Sequence, residues 1–225
     1  MRVCSSLFIL AVLFANGAYA AQPYPVGQPM YAILGDAMRA PFGWIEFCND
    51  NPSECATGAT QPREIELTSA AWGELDKVNR WVNHHVRPMS DMDHWGLMEK
   101  WSIPTDGFGD CEDYVLLKRK MLIDSGWLRE ALLITVVRDK MDEAHVVLTV
   151  KSDKGEFILD SLYENIVTST ETGYRFVERQ SQSDPMVWLS FKDGAPSQTK
   201  VADSLARPAV KLSSHSTGSV QYRRN

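Results

Sequence analysis

The hydrophobic period of this chain changes once, close to Gly126, and that change limits the folds open to it. Before this glycine, residues 68–87 and 110–124 carry apolar side chains at helical spacing. We predict a helix in each segment, the first capped by Thr68, and we expect Lys118–Lys120 of the second to be mostly solvated. After Gly126 the apolar residues follow one another or alternate, which is typical of β-strands.

Three strand segments follow the predicted helices. They span residues 131–137, 144–150 and 156–160, and the turn-forming run Lys151–Gly155 separates the last two. Helices followed by a meander of strands predict an α+β fold, in which the helices precede an antiparallel sheet.

The N-terminal end of the chain differs in composition from the body. A basic residue, Arg2, an apolar run at Leu7–Phe14 and the small residues around Ala18–Ala20 predict a secretory signal peptide over residues 1–20. The alternative is an N-terminal helix that tethers the protein to a membrane. No later stretch reaches the roughly 18 apolar residues that a spanning helix needs. We therefore expect an exported protein that is not embedded in a membrane.

Charge separates the body of the chain from its C-terminal tail. Removal of Arg2 with the signal peptide leaves 22 basic and 29 acidic residues, a net charge of −7. This balance argues against a nucleic-acid partner, because phosphate binding needs an excess of lysine and arginine. Residues 192–225, in contrast, hold six basic and two acidic residues. We predict that this basic tail is poorly ordered and that residues 21–191 form one domain.

Three cysteines remain after the signal peptide, an odd number for an exported protein. Cys48 and Cys55 lie seven residues apart with a proline between them, a spacing that a disulfide can close. We predict this bond within an otherwise irregular lead-in at residues 21–65, and we expect irregular structure over residues 89–109 as well. Cys111 is then a free thiol. The alternative is that all three are inert buried thiols.

Cys111 opens the second predicted helix, directly after the run Gly107-Phe108-Gly109-Asp110. A helix N-terminus favours an anion, so it lowers the pKa of a thiol placed there. The glycines allow a tight turn and a close approach of substrate. This placement is typical of a nucleophile, and simple packing of the side chain is the alternative.

His145 and Asp160 lie on the two strands of a predicted hairpin. If Val150 pairs with Gly155 across a four-residue loop, His145 lies directly opposite Asp160, and opposed residues point to the same face of the sheet. Asp160 would then orient an imidazole that activates Cys111. The alternatives are a structural histidine and an aspartate that belongs to a turn.

Four acidic residues crowd the free cysteine, namely Asp106, Asp110, Glu112 and Asp113. Carboxylates raise the pKa of a nearby thiol, which opposes the effect of the helix N-terminus. Their alternative role is to complement that N-terminus. A bound hard cation would neutralise them, and ligands that are all oxygen atoms suit calcium.

The segments around these side chains resemble those of the bacterial transglutaminase-like cysteine proteinases, and of the LapG-type proteases among them. The resemblance extends over about residues 41–190. It rests on the segments Trp95-Gly96, Glu99-Lys100-Trp101, Pro104, Gly109-Asp110-Cys111-Glu112-Asp113-Tyr114, Glu143-Ala144-His145-Val146-Val147-Leu148 and Leu159-Asp160-Ser161. The cysteine pair and the basic tail are not typical of LapG-type members. The pair is similar to that of a sister subgroup from alphaproteobacteria.

The resemblance implies a papain-like, transglutaminase-type α+β core and a peptidase that acts through a thioester. In such an enzyme Cys111 is the nucleophile, His145 is the general base and then the acid, and Asp160 is the orienting carboxylate. The resemblance also implies that calcium binds beside the cysteine and is required for activity. The acids that would bind it are Asp110, Glu112 and Asp113.

The resemblance further implies a location and partners. LapG-type enzymes act in the periplasm, where they cut a large surface adhesin, release biofilm cells and are restrained by an inner-membrane receptor for cyclic-di-GMP. Two other functions stay open for this chain: a transglutaminase-type acyl transferase, and a non-catalytic calcium-binding module of the envelope. For the oxyanion of a reaction intermediate, the backbone N–H of Cys111 is one expected donor, with the indole N–H of Trp95 or Trp101 as another.

Overall fold

The structure, a computed structural model, describes residues 27, 29–56 and 61–192. The predicted signal peptide and all but the first residue of the predicted tail lie outside these ranges, and both stay predictions. In the described ranges no helix is both long enough and apolar enough to cross a membrane. The α-helices found there are α1 (Phe42–Asp50), α2 (Ser69–His85), α3 (Asp91–Trp95) and α4 (Cys111–Asp124).

The two helices predicted from the sequence correspond to α2 and α4. Helix α2 begins after Thr68, whose hydroxyl accepts a hydrogen bond from the N–H of Ala71 at 3.1 Å and so caps the helix. Helix α4 begins with Cys111 and ends just before Gly126, whose φ of 96° is a conformation that favours glycine. Both predicted helices are confirmed, and the free cysteine is the first residue of its helix.

The strands form one large sheet and one small one. A parallel pair joins β2 (Arg87–Pro88) to β3 (Phe108–Gly109). The large sheet contains β1 (Leu34–Met38), β4 (Leu132–Arg138), β5 (Ala144–Ser152), β6 (Gly155–Leu159), β7 (Val167–Thr168), β8 (Arg175–Gln180) and β9 (Trp188–Phe191). Its order is β1-β9-β8-β4-β5-β6-β7, and every neighbouring pair is antiparallel. Helices with an antiparallel sheet confirm the α+β fold.

The prediction of irregular structure over residues 21–65 is wrong for the described part of that segment. It contains β1 and α1. Strand β1 is held by pairing with β9, which is its neighbour in the sheet but lies about 150 residues later in the chain, so local sequence does not reveal this partner. Residues 89–109 are interrupted by α3 and β3 but are otherwise irregular, as predicted. The predicted disulfide is present, with 5.5 Å between the Cα atoms of Cys48 and Cys55.

Helix α4 packs between α2 and strand β5, and this position corrects a second prediction. Apolar residues of all three elements form the core, among them Leu75, Val82, Val115, Leu122 and Leu148. The expectation that Lys118 and Arg119 are solvated is wrong, since they are 0% and 3% exposed. Both faces of α4 are covered, so charged side chains that a one-sided helix would expose are buried here.

The predicted hairpin register is also wrong, by two residues. Strands β5 and β6 pair Ser152 with Gly155 and Val150 with Phe157, so the loop holds two residues rather than four. A shift of one residue would have moved every side chain to the opposite face, but a shift of two keeps each on its own face. His145 and Asp160 therefore still share a face, as neighbours offset along the strands.

Candidate active site

Helix α4 places the thiol of Cys111 against strand β5. The thiol is half-buried and donates a hydrogen bond to Oε2 of Glu112 at 3.2 Å. The backbone N–H of Val146 faces the sulfur and acts to lower the pKa of the thiol. Because Val146 follows His145 directly, the first turn of α4 and the beginning of β5 bring the thiol and the imidazole into one site.

His145 and Asp160 form a buried hydrogen-bonded pair. Nε2 of the imidazole lies 2.8 Å from Oδ1 of Asp160, and the two residues are 6% and 3% exposed. Since Nε2 is engaged by the carboxylate, Nδ1 is the nitrogen that remains for exchanging a proton with the thiol of Cys111. Two of the three residues proposed for catalysis are thus hydrogen-bonded to each other, and the third, Cys111, lies beside Val146, the residue that follows His145.

Asp160 is held as a charged acceptor by several donors. Besides His145, the hydroxyl of Tyr174 donates to Oδ2 at 2.6 Å and the N–H of Leu162 donates to Oδ1 at 2.9 Å. Burial raises the pKa of Asp160, but the hydrogen bonds and the charge of His145 outweigh it, and the pKa falls below its usual range. The carboxylate therefore stays ionised and able to hold the imidazole.

Tyr174 is a site residue that the sequence analysis missed. Its ring also meets the ring of His145 edge to face, with centroids 5.9 Å apart. No motif marks Tyr174, because it precedes β8 and reaches the site only through the order of strands in the sheet.

The acids near Cys111 form a cluster that is larger than predicted. Two overlapping sets bring carboxylate oxygens within 4.8 Å of one another, and both contain Asp91. The sets are Asp91 with Asp110 and Asp113, and Asp91 with Glu99 and Glu112. Asp91 and Glu99 were missed, although Glu99 stands in a segment that carries the family resemblance. Asp106 lies outside the cluster, where its side chain is half exposed and contacts Nε2 of His94 at 2.8 Å.

Gly109 has a role in this cluster that the sequence did not reveal. A Cβ atom at Gly109 would overlap the carboxylate of Asp113. The glycine therefore makes room for an acid, whereas the tight turn expected here occurs at Gly107, whose φ is 83°.

Burial and mutual repulsion make the negatively charged forms of the acids in this cluster unfavourable. Burial, followed by the charge of Asp110, raises the pKa of Glu112 to about 9. Burial also raises the pKa of Asp113 to about 7, with contributions from Asp110 and Asp91. Burial and Glu112 raise the pKa of the Cys111 thiol well above its usual range. The lowering expected from the helix N-terminus is therefore outweighed.

The donor set fits a hard cation. Oδ1 of Asp110 and Oδ2 of Asp113 are buried and have no hydrogen-bond partner among the described residues. Buried carboxylate oxygens without donors are costly. A calcium ion prefers several oxygen ligands of this kind. The residues that could hold it are Asp91, Glu99, Asp110, Glu112 and Asp113.

Of the two tryptophans considered as oxyanion donors, Trp101 is already engaged. Its indole N–H donates to Oε1 of Glu99 at 2.6 Å, and the residue is 5% exposed. Trp95 is 44% exposed and stacks on His94. Trp101 therefore supports the acid cluster through Glu99.

Comparison with solved structures returns LapG of Legionella pneumophila, which is 26% identical over 52% of this chain and 67% of that chain, with a TM-score of 0.44. A calcium-bound structure of the same protein is 24% identical over 59% of this chain and 74% of that chain, with a TM-score of 0.46. An EGTA-treated structure is 24% identical over 58% and 73%, with a TM-score of 0.44. Among the curated proteins, none matches this chain in sequence.

The family comparison covers most of the chain. Residues 34–196 match the family described as bacterial transglutaminase-like cysteine proteinase. This range includes α4, the β5–β6 hairpin and the acid cluster, and cysteine proteinases act on protein substrates. The chain belongs to the bacterial transglutaminase-like cysteine proteinases.

Proposed function

We propose that this protein is a calcium-dependent cysteine endopeptidase in which Cys111, His145 and Asp160 form the catalytic triad. The observation that carries the proposal is the hydrogen bond between Nε2 of His145 and Asp160, combined with the thiol lying on the N–H of Val146. In this role Asp160 orients the imidazole of His145, and the imidazole takes the proton of the Cys111 thiol.

The proposed reaction is peptide-bond hydrolysis in two steps. In the first, the sulfur of Cys111 attacks the carbonyl carbon, its proton passes to Nδ1 of His145, and the amine leaves with that proton. The product is a thioester on Cys111. In the second, His145 takes a proton from water, the hydroxide attacks the thioester, and the carboxylic acid product leaves as the thiol regains its proton. Asp160 keeps the imidazole oriented in both steps.

Calcium is the proposed cofactor, held by Asp110, Glu112 and Asp113 together with Asp91 and Glu99. When bound, the ion supplies positive charge that neutralises these acids beside the thiol. Two observations of the site support the proposal: all candidate ligand atoms are oxygens, and two of the acids have buried oxygens that no donor within the described ranges reaches.

We further propose that the enzyme acts in the periplasm on a large surface adhesin. The support is the signal peptide predicted over residues 1–20 and the resemblance of the Gly109–Tyr114 segment to LapG-type proteases. The same resemblance supports restraint of the enzyme by an inner-membrane receptor that senses cyclic-di-GMP.

The proposal is tested by cleavage of an adhesin fragment co-expressed with the protein and followed on gels. We expect one discrete cut that disappears with EGTA and in the Cys111→Ala variant. A cut that survives both changes would contradict the proposal. Amine incorporation and ammonia release without a cut would show acyl transfer in place of hydrolysis.

Calcium binding is tested separately by calorimetry, with a control from the same loop. Asp110→Asn removes the negative charge of one carboxylate in the acid cluster, whereas Asp106→Asn removes the charge of a carboxylate that lies outside the cluster. We expect the first variant to weaken calcium binding roughly tenfold or more and the second to bind as the unaltered protein does. Equal affinities in the two variants would place the ion elsewhere.

A further inference from the structure

A cavity of about 220 Å³ lies where β4 begins and β8 ends, against the second half of α4. The side chains that give it its chemistry are Arg119, Arg129, Leu132, Leu133 and Pro185. Leu132 begins β4, whereas the residue of β4 that pairs with His145 is Val137, five residues later. Five residues of a strand span about 17 Å. The cavity is therefore separate from the site of Cys111.

Arg119 places a buried guanidinium in the wall of this cavity. The residue is 3% exposed, and its Nε donates a hydrogen bond to the carbonyl oxygen of Leu132 at 3.0 Å. A guanidinium has five N–H groups, and the other four meet no acceptor in the described part of the chain. The Cζ atom lies 5.9 Å from the centroid of the Trp44 ring, whose face attracts a cation without neutralising it.

The other two arginines near the cavity have carboxylate partners. Arg63 contacts Oε1 of Glu130, which also lines the cavity, at 2.7 Å. Arg129 donates to the backbone oxygen of Glu54 and lies 3.9 Å from its Oε2. Of the three, Arg119 alone has no ion pair among the described residues. Burial, followed by the charge of Arg129, lowers the pKa of Arg119 to about 9, so its surroundings disfavour the charge that it carries.

The charge, shape and size of the cavity define what fits it. A single buried positive charge without a partner is best compensated by one negative charge. The planar fork of a guanidinium matches the two oxygens of a carboxylate. A water molecule takes up about 30 Å³ and drug-sized ligands occupy roughly 300–1,000 Å³, so this cavity suits a small organic ion. Leu132, Leu133 and Pro185 provide an apolar wall for its hydrocarbon part.

We propose that this cavity binds a carboxylate that carries a short apolar chain, with its oxygens on the guanidinium of Arg119 and its hydrocarbon part against Leu132 and Leu133. Arg129 adds a second positive charge at the cavity. A small free acid and the C-terminus of a peptide both present this chemistry. The binding site goes beyond the proposed function and does not depend on peptidase activity.

The test is a calorimetric titration of the full chain with sodium butyrate. We expect a dissociation constant on the order of 1 mM for a ligand of this size. Butyrate should also raise Tm above the value in the same concentration of sodium chloride, because it binds the folded state. Butylammonium chloride, which has the same hydrocarbon chain and the opposite charge, should not bind.

Two variants that each remove one buried positive charge locate the binding. Arg119→Met removes the guanidinium and keeps an apolar side chain, and we expect the affinity for butyrate to fall at least about tenfold. Lys118→Met is the matched control, since Lys118 is the preceding residue of α4, is 0% exposed and does not line the cavity. Its affinity should be unaltered. If Arg119→Met fails to fold, Arg129→Met replaces it, because that side chain is 30% exposed, and affinity should fall roughly threefold.

A tripeptide that ends in leucine, compared with its C-terminal amide, separates the two sources of the carboxylate. Tighter binding of the peptide than of butyrate, lost in the amide, assigns the cavity to a chain terminus, whereas tighter binding of butyrate assigns it to a free acid. Three outcomes overturn the inference: no effect of butyrate beyond that of sodium chloride, equal binding of butyrate and butylammonium, and an unaltered affinity in a folded Arg119→Met protein.

Discussion

Two sets of carboxylates reach the site of Cys111, and they differ in what surrounds their oxygens. Asp160 accepts hydrogen bonds from a ring nitrogen, a hydroxyl and a backbone N–H, and its pKa falls. In the acid cluster Asp110 and Asp113 each have a buried oxygen that finds no hydrogen-bond partner in the part of the chain that the structure describes, and the pKa of Asp113 rises. The protein therefore completes one site with its own donors, whereas the oxygens of the other are free to accept the cation proposed above.

The largest expected effect comes from the site that the protein completes by itself. Asp160→Asn keeps the shape of the side chain but removes the charge that sets the tautomer of His145. We expect kcat to fall roughly 10³–10⁴-fold, as it does when the orienting carboxylate of such a triad is lost. Calorimetry should show unchanged calcium affinity. A variant that loses calcium and activity together would show that the two sets of carboxylates are not independent.

The second effect concerns stability without calcium. Asp113 and Glu112 have pKa values raised to about 7 and about 9 in the folded protein. A carboxyl with a raised folded pKa stabilises the fold below its unfolded pKa, and this contribution is lost as pH rises through the folded pKa. In EGTA the protein should therefore lose stability between about pH 4 and pH 9.

For Asp113 alone the loss amounts to about 4 kcal/mol, on the order of 10 °C in Tm. Thermal unfolding at several pH values, with EGTA and with calcium, measures it. Calcium should make Tm nearly independent of pH in this range, whereas Asp113→Asn in EGTA should remove only the part of the loss that Asp113 contributes. Asp160 acts in the opposite direction, because its lowered pKa makes its contribution disappear only as pH falls below about 4. A Tm in EGTA that is constant from pH 5 to pH 9 would contradict this account of the acid cluster.

The third prediction tests the two cluster members that were not foreseen. Asp91 belongs to both candidate sets and Glu99 to one. We expect Asp91→Asn to weaken calcium binding roughly 10- to 100-fold, and Glu99→Gln to weaken it by less. Calorimetry with calcium measures both affinities. Equal affinities for Asp91→Asn and the unaltered protein would restrict the site to the three acids beside the cysteine.

The sequence predicts the parts of this molecule that depend on local pattern. Helix α4 begins with Cys111, as the helical spacing of residues 110–124 predicts. His145 and Asp160 share a face although the predicted loop was too long, because the register was wrong by two residues and a shift of two keeps each side chain on its face. Strand β1 and the burial of Lys118 depend on elements that pack from distant parts of the chain. The spacing of hydrophobic residues within a short segment of sequence does not indicate such contacts.

The smallest expected effect belongs to Tyr174, which only the fold brings to the site. Tyr174→Phe removes one of the hydrogen bonds to Asp160 and keeps the ring against His145. One hydrogen bond to a charged group is worth about 1.5–3 kcal/mol where its partner stays buried. Two other donors remain on Asp160, so we expect kcat to fall only about threefold to tenfold, with unchanged calcium affinity. A loss as large as that of Asp160→Asn would mean that Tyr174, rather than His145, is the donor on which the charge of Asp160 depends.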